Sequence, residues 1–332
     1  MLVTGCAGFL GFYITSFLAR YATELGIERI VGTDTFLLAR PAWLDELAKL
    51  PHVEIVAHDI AHDAIGDIPH ARDVDLVLHM ASIASPVFYR KHPVVTMEAN
   101  VWGLRRLLDF YGEGGLRGLV FFSSSEIYGD PTPDAIPTPE GYRGLVSCTG
   151  PRACYDEAKR FGETMCWVYA QEYGLPVTAV RPFNNYGPGM RLDDRRAPAD
   201  FAKAVVEGRD IVLLSDGTPT RTFCYVADAV AGYVKALVHG SYDAFNIGVE
   251  RPEITMRQLA DTYVAAGAEV FGYTGVVRFE APDEAAYLTH NPQRRCPDIS
   301  HAREMLGYDP RVEVDEGVGR FLRFLRETGA RA

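Results

Sequence analysis

The chain of 332 residues contains no apolar run close to the ~20 residues that a membrane-spanning helix needs. No basic segment with a signal-type apolar stretch stands before Leu2-Val3, and neither an internal repeat nor a low-complexity segment is present. A composition with 48% hydrophobic and 23% charged residues is typical of an ordinary globular protein. We therefore expect a soluble, cytoplasmic protein of one large domain or two closely packed ones, without a membrane partner.

The cysteines are few and are not arranged for a metal or a disulfide framework. No C-x-x-C pair occurs among them, and most lie inside apolar patterns. We interpret all six as reduced residues of a cytosolic protein and predict no metal site. They are Cys6, Cys148, Cys154, Cys166, Cys224 and Cys296.

Positive charge is also scarce, because the formal net charge is −11. This excludes a nucleic acid or an anionic membrane as the expected partner. A small anionic ligand is still possible where arginines gather, and five of them flank Asn184: Arg181, Arg191, Arg195, Arg196 and Arg209.

Three glycines at spacing G-x-x-G-x-x-G follow the first apolar segment. Leu2-Val3-Thr4 reads as a buried strand, Gly5, Gly8 and Gly11 follow at once, and a helical pattern runs over residues 12–25. Glycines permit a tight turn and close backbone approach, and a helix N-terminus offers N–H groups to a pyrophosphate. The order strand, glycine loop, helix therefore predicts a dinucleotide site rather than a plain structural turn.

An acidic residue ends the second predicted strand, residues 29–33. Asp34 at this place accepts hydrogen bonds from an adenosine ribose and repels a 2′-phosphate, which favours NAD over NADP. A turn aspartate is the alternative interpretation. After a third strand at residues 53–57, Asp59 is a candidate to reach the adenine.

Strands and helices alternate through the first half of the chain. Further apolar strands are predicted at residues 74–80, 119–122 and 177–180, with helices at 94–111 and 153–173. This alternation predicts an α/β doubly wound parallel sheet of the Rossmann type with helices on both faces. We assign an NAD-binding domain to residues 1–182 and a smaller α/β substrate domain to residues 183–332, some segments of which return to the central sheet.

Tyr155 and Lys159 are one helical turn apart. An ammonium beside a phenol favours the phenolate, so the pair is predicted to take a proton from a substrate hydroxyl as hydride leaves its carbon. The alternative is an exposed tyrosine and lysine on an amphipathic helix. A second hydroxyl-rich segment, Ser123-Ser124-Ser125-Glu126, follows the fifth strand, where parallel sheets bind ligands; a serine-rich turn is the alternative there.

These motifs together resemble the extended short-chain dehydrogenase/reductases of the nucleotide-sugar epimerase/dehydratase group. In that group the hydroxyl at the position of Ser124 and the tyrosine at Tyr155 bracket the sugar 4-hydroxyl. The lysine at Lys159 binds the nicotinamide ribose. The resemblance also implies a homodimer that packs through the two long helices, residues 94–111 and 153–173.

Within this group, several stretches of the sequence resemble the UDP-glucuronate decarboxylases. The matching stretches are Ala81-Ser82-x-Ala84-Ser85-Pro86, residues 125–130, 155–160 and 185–194, and Arg294-Arg295-Cys296-Pro297-Asp298. In this family an arginine at the position of Arg295 lies near the reacting carbon. The chain departs from the pattern at Ser124, where threonine is usual, and at residues 182–185.

The enzymes of this group differ in the reaction that they carry out on the sugar, and each reaction requires different residues. A 4,6-dehydratase carries an acid at the position of Ser125, which serine cannot replace. A decarboxylase oxidises C4, so that the C5 carboxylate becomes β to a ketone and CO2 leaves readily. Glu126 and Arg295 are then the candidates to place the carboxylate, a water or a proton at C5. A UDP-glucuronate 4-epimerase and a non-catalytic NAD-binding protein are the alternatives, although the latter class tends to lose the tyrosine–lysine pair.

The predicted site residues fall into three groups: the catalytic residues, the contacts to NAD and the contacts to the nucleotide sugar. The catalytic group is Ser124, Glu126, Tyr155, Lys159 and Arg295. The predicted contacts to NAD are Gly5, Gly8, Phe9, Leu10, Gly11, Asp34, Asp59, Ile60, Met80, Ala81, Asn100, Ser123, Tyr155, Lys159 and Pro182. The predicted substrate contacts are Ser85, Ser125, Asn184, Arg191, Arg221 and Arg295, with the arginines as a diphosphate clamp.

Overall fold

A twisted parallel sheet forms the centre of the molecule. The structure, a computed structural model, describes residues 1–281 and 292–329. Within these residues the sheet has seven strands in the order β11-β6-β5-β4-β1-β2-β3, and all neighbouring pairs are parallel. In chain order the strands are β1 (Leu2–Thr4), β2 (Ile30–Asp34), β3 (Val53–Ala57), β4 (Leu76–His79), β5 (Gly118–Phe122), β6 (Val177–Pro182), β7 (Asn185–Tyr186), β8 (Ile211–Leu213), β9 (Thr220–Arg221), β10 (Cys224–Tyr225), β11 (Asp243–Ile247), β12 (Ile254–Thr255), β13 (Val277–Phe279) and β14 (Arg294–Arg295).

Helices cover the sheet on both faces, which is why β1 and β5 are buried along their whole length. The helices are α1 (Phe9–Arg20), α2 (Ala42–Leu47), α3 (Pro86–Lys91), α4 (Pro93–Met97), α5 (Leu104–Tyr111), α6 (Ala153–Tyr173), α7 (Ala197–Glu207), α8 (Val226–Leu237), α9 (Met256–Phe271), α10 (Ser300–Leu306) and α11 (Val314–Glu327). The predicted α/β doubly wound sheet is confirmed.

Two helices differ from the prediction. The first was expected over residues 12–25 but begins directly after Gly8 and ends at Arg20, because Leu25 is exposed and continues no apolar face. The helix expected over residues 94–111 is interrupted by a π-helical turn, Glu98–Gly103, between α4 and α5. Gly103 in this turn approaches Ile60 so closely that a Cβ would lie 2.5 Å from its side chain.

The second half of the chain builds its own core and also rejoins the sheet. Buried side chains of α7, α9 and α11 pack together, among them Phe201, Tyr263 and Phe321. Strand β11 instead pairs with β6 at the edge of the central sheet. The division at residues 182 and 183 stays a prediction, and residues 282–291 and 330–332 of the predicted second domain lie outside the described part of the chain.

The strand order reverses beside β1, which lies between β4 and β2. Open parallel sheets bind ligands beyond the carboxyl ends of the strands at such a point. A cavity of about 500 Å³ lies there, between the sheet and the second core. None of the helices in residues 1–281 and 292–329 combines the length and the apolar character that crossing a bilayer requires.

Candidate active site

The glycine loop between β1 and α1 forms one end of this cavity. Gly5 has φ +73°, and a Cβ there would lie 2.7 Å from the backbone N of Ala81. A Cβ on Gly11 would lie 2.3 Å from the carbonyl oxygen of Cys6. Gly8 adjoins the first turn of α1, whose N–H groups have no partner within the helix. The loop thus brings bare backbone and a helix N-terminus to the cavity, which fits a pyrophosphate.

Asp34 ends β2 beside this loop. Its carboxylate accepts the N–H of Ala7 at 3.1 Å and the N–H of Phe36 at 2.8 Å. Burial raises the pKa of Asp34, and these N–H donors oppose the rise. The acid is therefore held in place at the end of the second strand, as the prediction of a ribose contact requires.

The structure brings nearly all the predicted residues to the same cavity. Every predicted catalytic and substrate residue lines it, and so does every predicted cofactor residue except Asn100. Asn100 is fully buried in the π-helical turn, and its Nδ2 donates to the carbonyl oxygen of Thr96 at 2.7 Å. The turn points this amide into the protein interior, so Asn100 is not among the side chains that face the cavity.

The hydroxyl and amine groups at the centre of the site come from β5 and α6. Tyr155 and Lys159 are both buried, so they are not an exposed pair on a helix surface. The Nζ of Lys159 donates to the carbonyl oxygen of Phe122 at 2.5 Å and lies 5.7 Å from the ring centroid of Tyr155. The hydroxyl of Ser124 accepts the N–H of Glu126 at 3.2 Å and lies close enough to Tyr155 to affect the pKa of its phenol.

The electrostatics of this pair correct the sequence-based expectation. Burial raises the pKa of Tyr155 to about 12, while Ser124 opposes the rise. Burial lowers the pKa of Lys159 to about 7. Desolvation disfavours both charged forms, so burial outweighs the lowering of the Tyr155 pKa that was expected from Lys159, whose amine is bonded to a carbonyl.

Glu126 is held between two arginines. Arg295 donates from Nη1 and Nη2 to the two carboxylate oxygens, at 2.6 Å each, and Nη2 of Arg152 donates to Oε2. Burial by itself raises the pKa of Glu126, but the two guanidinium groups outweigh it and leave the pKa below its usual value. Glu126 is therefore an ionised group and a weak base at neutral pH, which can orient a water but accepts a proton poorly.

Sequence reasoning missed Arg152, which is buried three residues before Tyr155 and lines the cavity. The signal was its place at the N-terminal end of α6, where a cation opposes the helix dipole and needs a carboxylate partner. Tyr89 was missed as well. Its ring stacks on that of Tyr155 with centroids 5.1 Å apart and planes 10° apart, a long-range contact that leaves no local pattern.

The two arginines predicted to clamp the diphosphate already have hydrogen-bond partners within the protein. The guanidinium group of Arg221 donates to the carbonyl oxygens of Thr220 and Pro292, at 2.7 and 2.5 Å, and burial lowers its pKa to about 9. Arg191 is half-buried and pairs with Asp193 through two hydrogen bonds of 2.8 and 2.7 Å. Both arginines nevertheless border the cavity.

Three other predicted substrate residues are fixed by their surroundings. The amide of Asn184 donates to the carbonyl oxygen of Thr222 at 2.9 Å, and the hydroxyl of Ser85 donates to that of Asp194 at 2.6 Å. Ser125 is buried in the turn after β5.

The arginine-rich stretch around Asn184 does not act as one cluster. Arg191, Arg195 and Arg196 line the cavity, but Arg181 is buried in an ion pair with Glu163 and does not. Arg209 pairs with Glu207 outside the cavity as well. Sequence proximity therefore overstated the local positive charge, because two of the five guanidinium groups point elsewhere.

Known proteins have sequences and folds similar to those of this chain. The profile of the NAD dependent epimerase/dehydratase family matches residues 1–248. UDP-glucuronic acid decarboxylase 3 of Arabidopsis thaliana is 34% identical over 320 residues, which cover 96% of this chain and 86% of that protein. The UDP-glucose 4-epimerase of Thermotoga maritima, solved with UDP-glucose, is 25% identical with a TM-score of 0.85 and 99% of each chain covered.

A second solved structure carries both ligand types. UDP-glucuronic acid 4-epimerase of Bacillus cereus, in complex with UDP-glucuronic acid and NAD, has a TM-score of 0.80 at 24% identity, over 98% of this chain and 99% of that one. The predicted cofactor, NAD, is confirmed by the match to an NAD-dependent family. From the glycine loop, the buried Tyr155 and Lys159 and these similarities, we conclude that the chain belongs to the NAD dependent epimerase/dehydratase family.

Proposed function

We propose that the chain is an NAD-dependent UDP-glucuronate decarboxylase that oxidises C4, releases the C5 carboxylate as CO2 and reduces C4 again. The observation that carries the proposal is the arrangement of Arg152 and Arg295 on Glu126, inside the cavity that holds Tyr155. Two guanidinium groups suit a sugar carboxylate, which a neutral hexose does not offer. The 34% identity to a plant UDP-glucuronic acid decarboxylase supports the same activity.

The proposed roles follow from position in the site. Tyr155, with Ser124 beside it, takes the proton of the sugar 4-hydroxyl and returns it when C4 is reduced. Bound NAD supplies the chemistry of accepting and returning the C4 hydride. Lys159, the glycine loop and Asp34 hold the dinucleotide, as do the other predicted cofactor residues that line the cavity.

The decarboxylation step makes little demand on the protein. A carboxylate β to a ketone releases CO2 because the carbonyl takes up the electron pair, and C5 then needs a proton. Arg295 and Arg152 orient the carboxylate, and the ionised Glu126 holds the water that brings this proton. Arg221 is proposed to bind the diphosphate, with Arg191 at the edge of the cavity as the second cation.

Mass spectrometry of the product tests the proposal. Purified protein with UDP-glucuronate and NAD is expected to give UDP-xylose and CO2, and UDP-glucose, which has no carboxylate, is the control substrate. Formation of UDP-galacturonate without CO2 would instead establish the 4-epimerase, the alternative that the Bacillus cereus structure keeps open. No conversion of either substrate would leave a non-catalytic NAD-binding protein.

We also propose a homodimer formed by the helices α5 and α6 with the π-helical turn. Large apolar side chains on these elements are exposed in the single chain: Trp102 (57%), Phe161 (51%) and Trp167 (51%). Exposed apolar surface of this kind is typical of protein interfaces. Light scattering is expected to give twice the chain mass for the wild type and the monomer mass for Phe161→Asp.

A reducing, cytoplasmic location is proposed from the cysteines. All six, including the exposed Cys148, are free. Cell fractionation that recovered the protein with periplasmic or extracellular markers would contradict this location.

A further inference from the structure

A second buried carboxylate, that of Asp156, lies next to Arg152, one of the two arginines that donate to Glu126. Asp156 is one helical turn after Arg152 on α6, and its Oδ2 lies 3.5 Å from Nε of that arginine. The same guanidinium group donates to Glu126, so it bridges the two acids. Asp156 is buried, does not line the cavity, and its Oδ1 has no hydrogen-bond partner among the described residues.

The surroundings of Asp156 form a closed charge cluster. The charged or titratable groups that face it come from three other elements and from the start of its own helix: Tyr89 of α3, Glu126 of the turn after β5, Arg295 of β14, and Arg152, Cys154 and Tyr155. With both acids ionised, their two negative charges balance those of Arg152 and Arg295. Arg196 and Arg221 also act on Glu126, but Arg196 is paired with Asp194 and Arg221 is the proposed partner of the diphosphate. A sugar carboxylate that binds here would add one uncompensated negative charge in a buried site, which is costly.

We propose that Asp156 takes up one proton from solvent when a uronate carboxylate binds beside Arg152 and Arg295, so that the buried cluster stays neutral. This inference rests on the proposed function. The binding step balances as follows: ionised Asp156, the substrate carboxylate and one solvent proton give protonated Asp156 and the bound carboxylate, and no bond of the sugar changes. A substrate without a carboxylate takes up no proton at this residue.

The pKa of Asp156 in the protein without substrate is consistent with this role. Burial raises the pKa of Asp156 above that of an ordinary carboxyl group, and the nearby Glu126 adds to the rise. Arg152 and Arg295 oppose it, and they are the groups that a bound carboxylate would engage. Substrate binding therefore removes the compensation that keeps Asp156 ionised.

The overall reaction needs one proton per turnover. The bond from C5 to the carboxyl carbon breaks, its electron pair passes to the 4-ketone as an enolate, neutral CO2 leaves, and C5 takes a proton. When the product has no carboxylate, Asp156 gives up the proton it gained at binding. The number of protons taken up from solvent at binding therefore equals the number consumed in one complete turnover.

Calorimetry in buffers with different ionisation enthalpies measures this uptake. We choose the Tyr155→Phe variant with bound NAD, in which no turnover is expected, and compare UDP-glucuronate with UDP-xylose near neutral pH. The two ligands share the nucleotide and the diphosphate, so their difference isolates the carboxylate. Because the pKa of Asp156 without substrate is about 7, we expect UDP-glucuronate to take up about half a proton more per site than UDP-xylose at pH 7. This difference should approach about one proton as the pH is raised by about one unit. Asp156→Asn in the same background is expected to abolish the difference.

The outcomes separate this inference from the proposed function. Binding of UDP-glucuronate without extra uptake, or extra uptake that persists in Asp156→Asn, overturns the role of Asp156 alone. Failure of UDP-glucuronate to bind overturns both. If Asp156→Asn does not fold, the pH dependence of affinity in Tyr155→Phe decides. The ratio of the two Kd values should change by about tenfold per pH unit on the alkaline side, and a constant ratio overturns the proposal.

Discussion

Arg295 and Glu126 are 169 positions apart in the sequence and meet through two parallel hydrogen bonds of 2.6 Å. Arg295 belongs to β14, which pairs with β9 in the second half of the chain, whereas Glu126 follows a strand of the central sheet. The next residue, Cys296, accepts the N–H of Thr138 at 2.8 Å, which fixes this segment across the cavity. One carboxylate thus joins the two halves of the molecule at the proposed reaction centre.

Replacing Glu126 by glutamine tests its proposed role at C5. Glu126→Gln removes the negative charge between two buried guanidinium groups but keeps the size of the side chain. We expect CO2 release to fall by about 100-fold or more, while oxidation at C4 is affected less. NADH absorbance should therefore rise and persist, with a 4-keto sugar trapped in the site.

The matched control is Glu163→Gln. Glu163 forms a buried ion pair with Arg181 and does not line the cavity, so this variant removes a similar buried charge without removing a group placed at the sugar. Its effect on the site is a further lowering of the Lys159 pKa, which Glu163 raises. It should not accumulate NADH. Equal loss of oxidation and CO2 release in Glu126→Gln would contradict a role at C5.

The phenol of Tyr155 is the proposed acceptor of the 4-hydroxyl proton. Tyr155→Phe removes only this oxygen, so turnover should fall by about 10²–10⁴-fold while NAD stays bound. Stopped-flow absorbance for NADH and cofactor content after purification measure the two effects. Tyr89→Phe is the control, because its hydroxyl has no hydrogen-bond partner among the described residues and the stacked ring is kept. A Tyr155→Phe rate above about a tenth of wild type would refute the role.

Local patterns predicted several elements of the central sheet and its helices well. The strand at residues 53–57 and the helix at 153–173 were predicted with the bounds that the structure has, because apolar periodicity and glycine punctuation report on neighbouring residues. The glycine loop was predicted from the same kind of signal. Glu126 and Arg295 were both assigned to C5 only through resemblance to a family, and their ion pair was not predicted, since no periodicity links residues so far apart.

The properties of the site that the sequence could not predict are those that depend on burial by the rest of the fold. Spacing placed Lys159 one turn from Tyr155, but the direction of each pKa shift depends on desolvation by the rest of the fold. Arg152 carried a weak signal, since it stands where a helix dipole disfavours a cation. Asn100 was expected in the cavity, yet a π-helical turn, which has no sequence signature, buries its amide.

Arg152 is expected to contribute to substrate binding through the carboxylate. Arg152→Lys keeps the charge but loses the second nitrogen of the planar fork that links Glu126 to Asp156. The KM for UDP-glucuronate should rise by about 10–100-fold, as expected for loss of a charged hydrogen bond. The affinity for UDP-xylose should hardly change.

Arg160→Lys on the same helix is the control for Arg152→Lys. The guanidinium group of Arg160 donates to the carbonyl oxygens of Ile127 and Arg143 and does not contact the acids of the cluster. If both variants raised the KM for UDP-glucuronate alike, the effect would come from the helix rather than from the carboxylate site.

The stability of the fold below neutral pH is expected to depend on His79. This residue ends β4, is 1% exposed, and its Nδ1 lies 2.8 Å from Oγ1 of Thr4. Burial, with the nearby Lys159, lowers its pKa from 6.5 to about 3. Between these two pH values the unfolded chain binds a proton that the folded chain does not. The contribution of His79 is therefore complete above pH 6.5 and declines as the pH falls towards 3.

At pH 5 this loss amounts to about 2 kcal/mol of the free energy of unfolding. His79→Asn keeps a short polar side chain beside Thr4 but cannot titrate. Urea unfolding at about pH 7.5 and pH 5 measures the change, and the wild type should lose about 2 kcal/mol more than the variant between the two pH values. Comparing each protein with itself removes the cost of the substitution. Equal losses in both proteins would mean that the imidazole is protonated in the folded chain, against its burial beside Lys159.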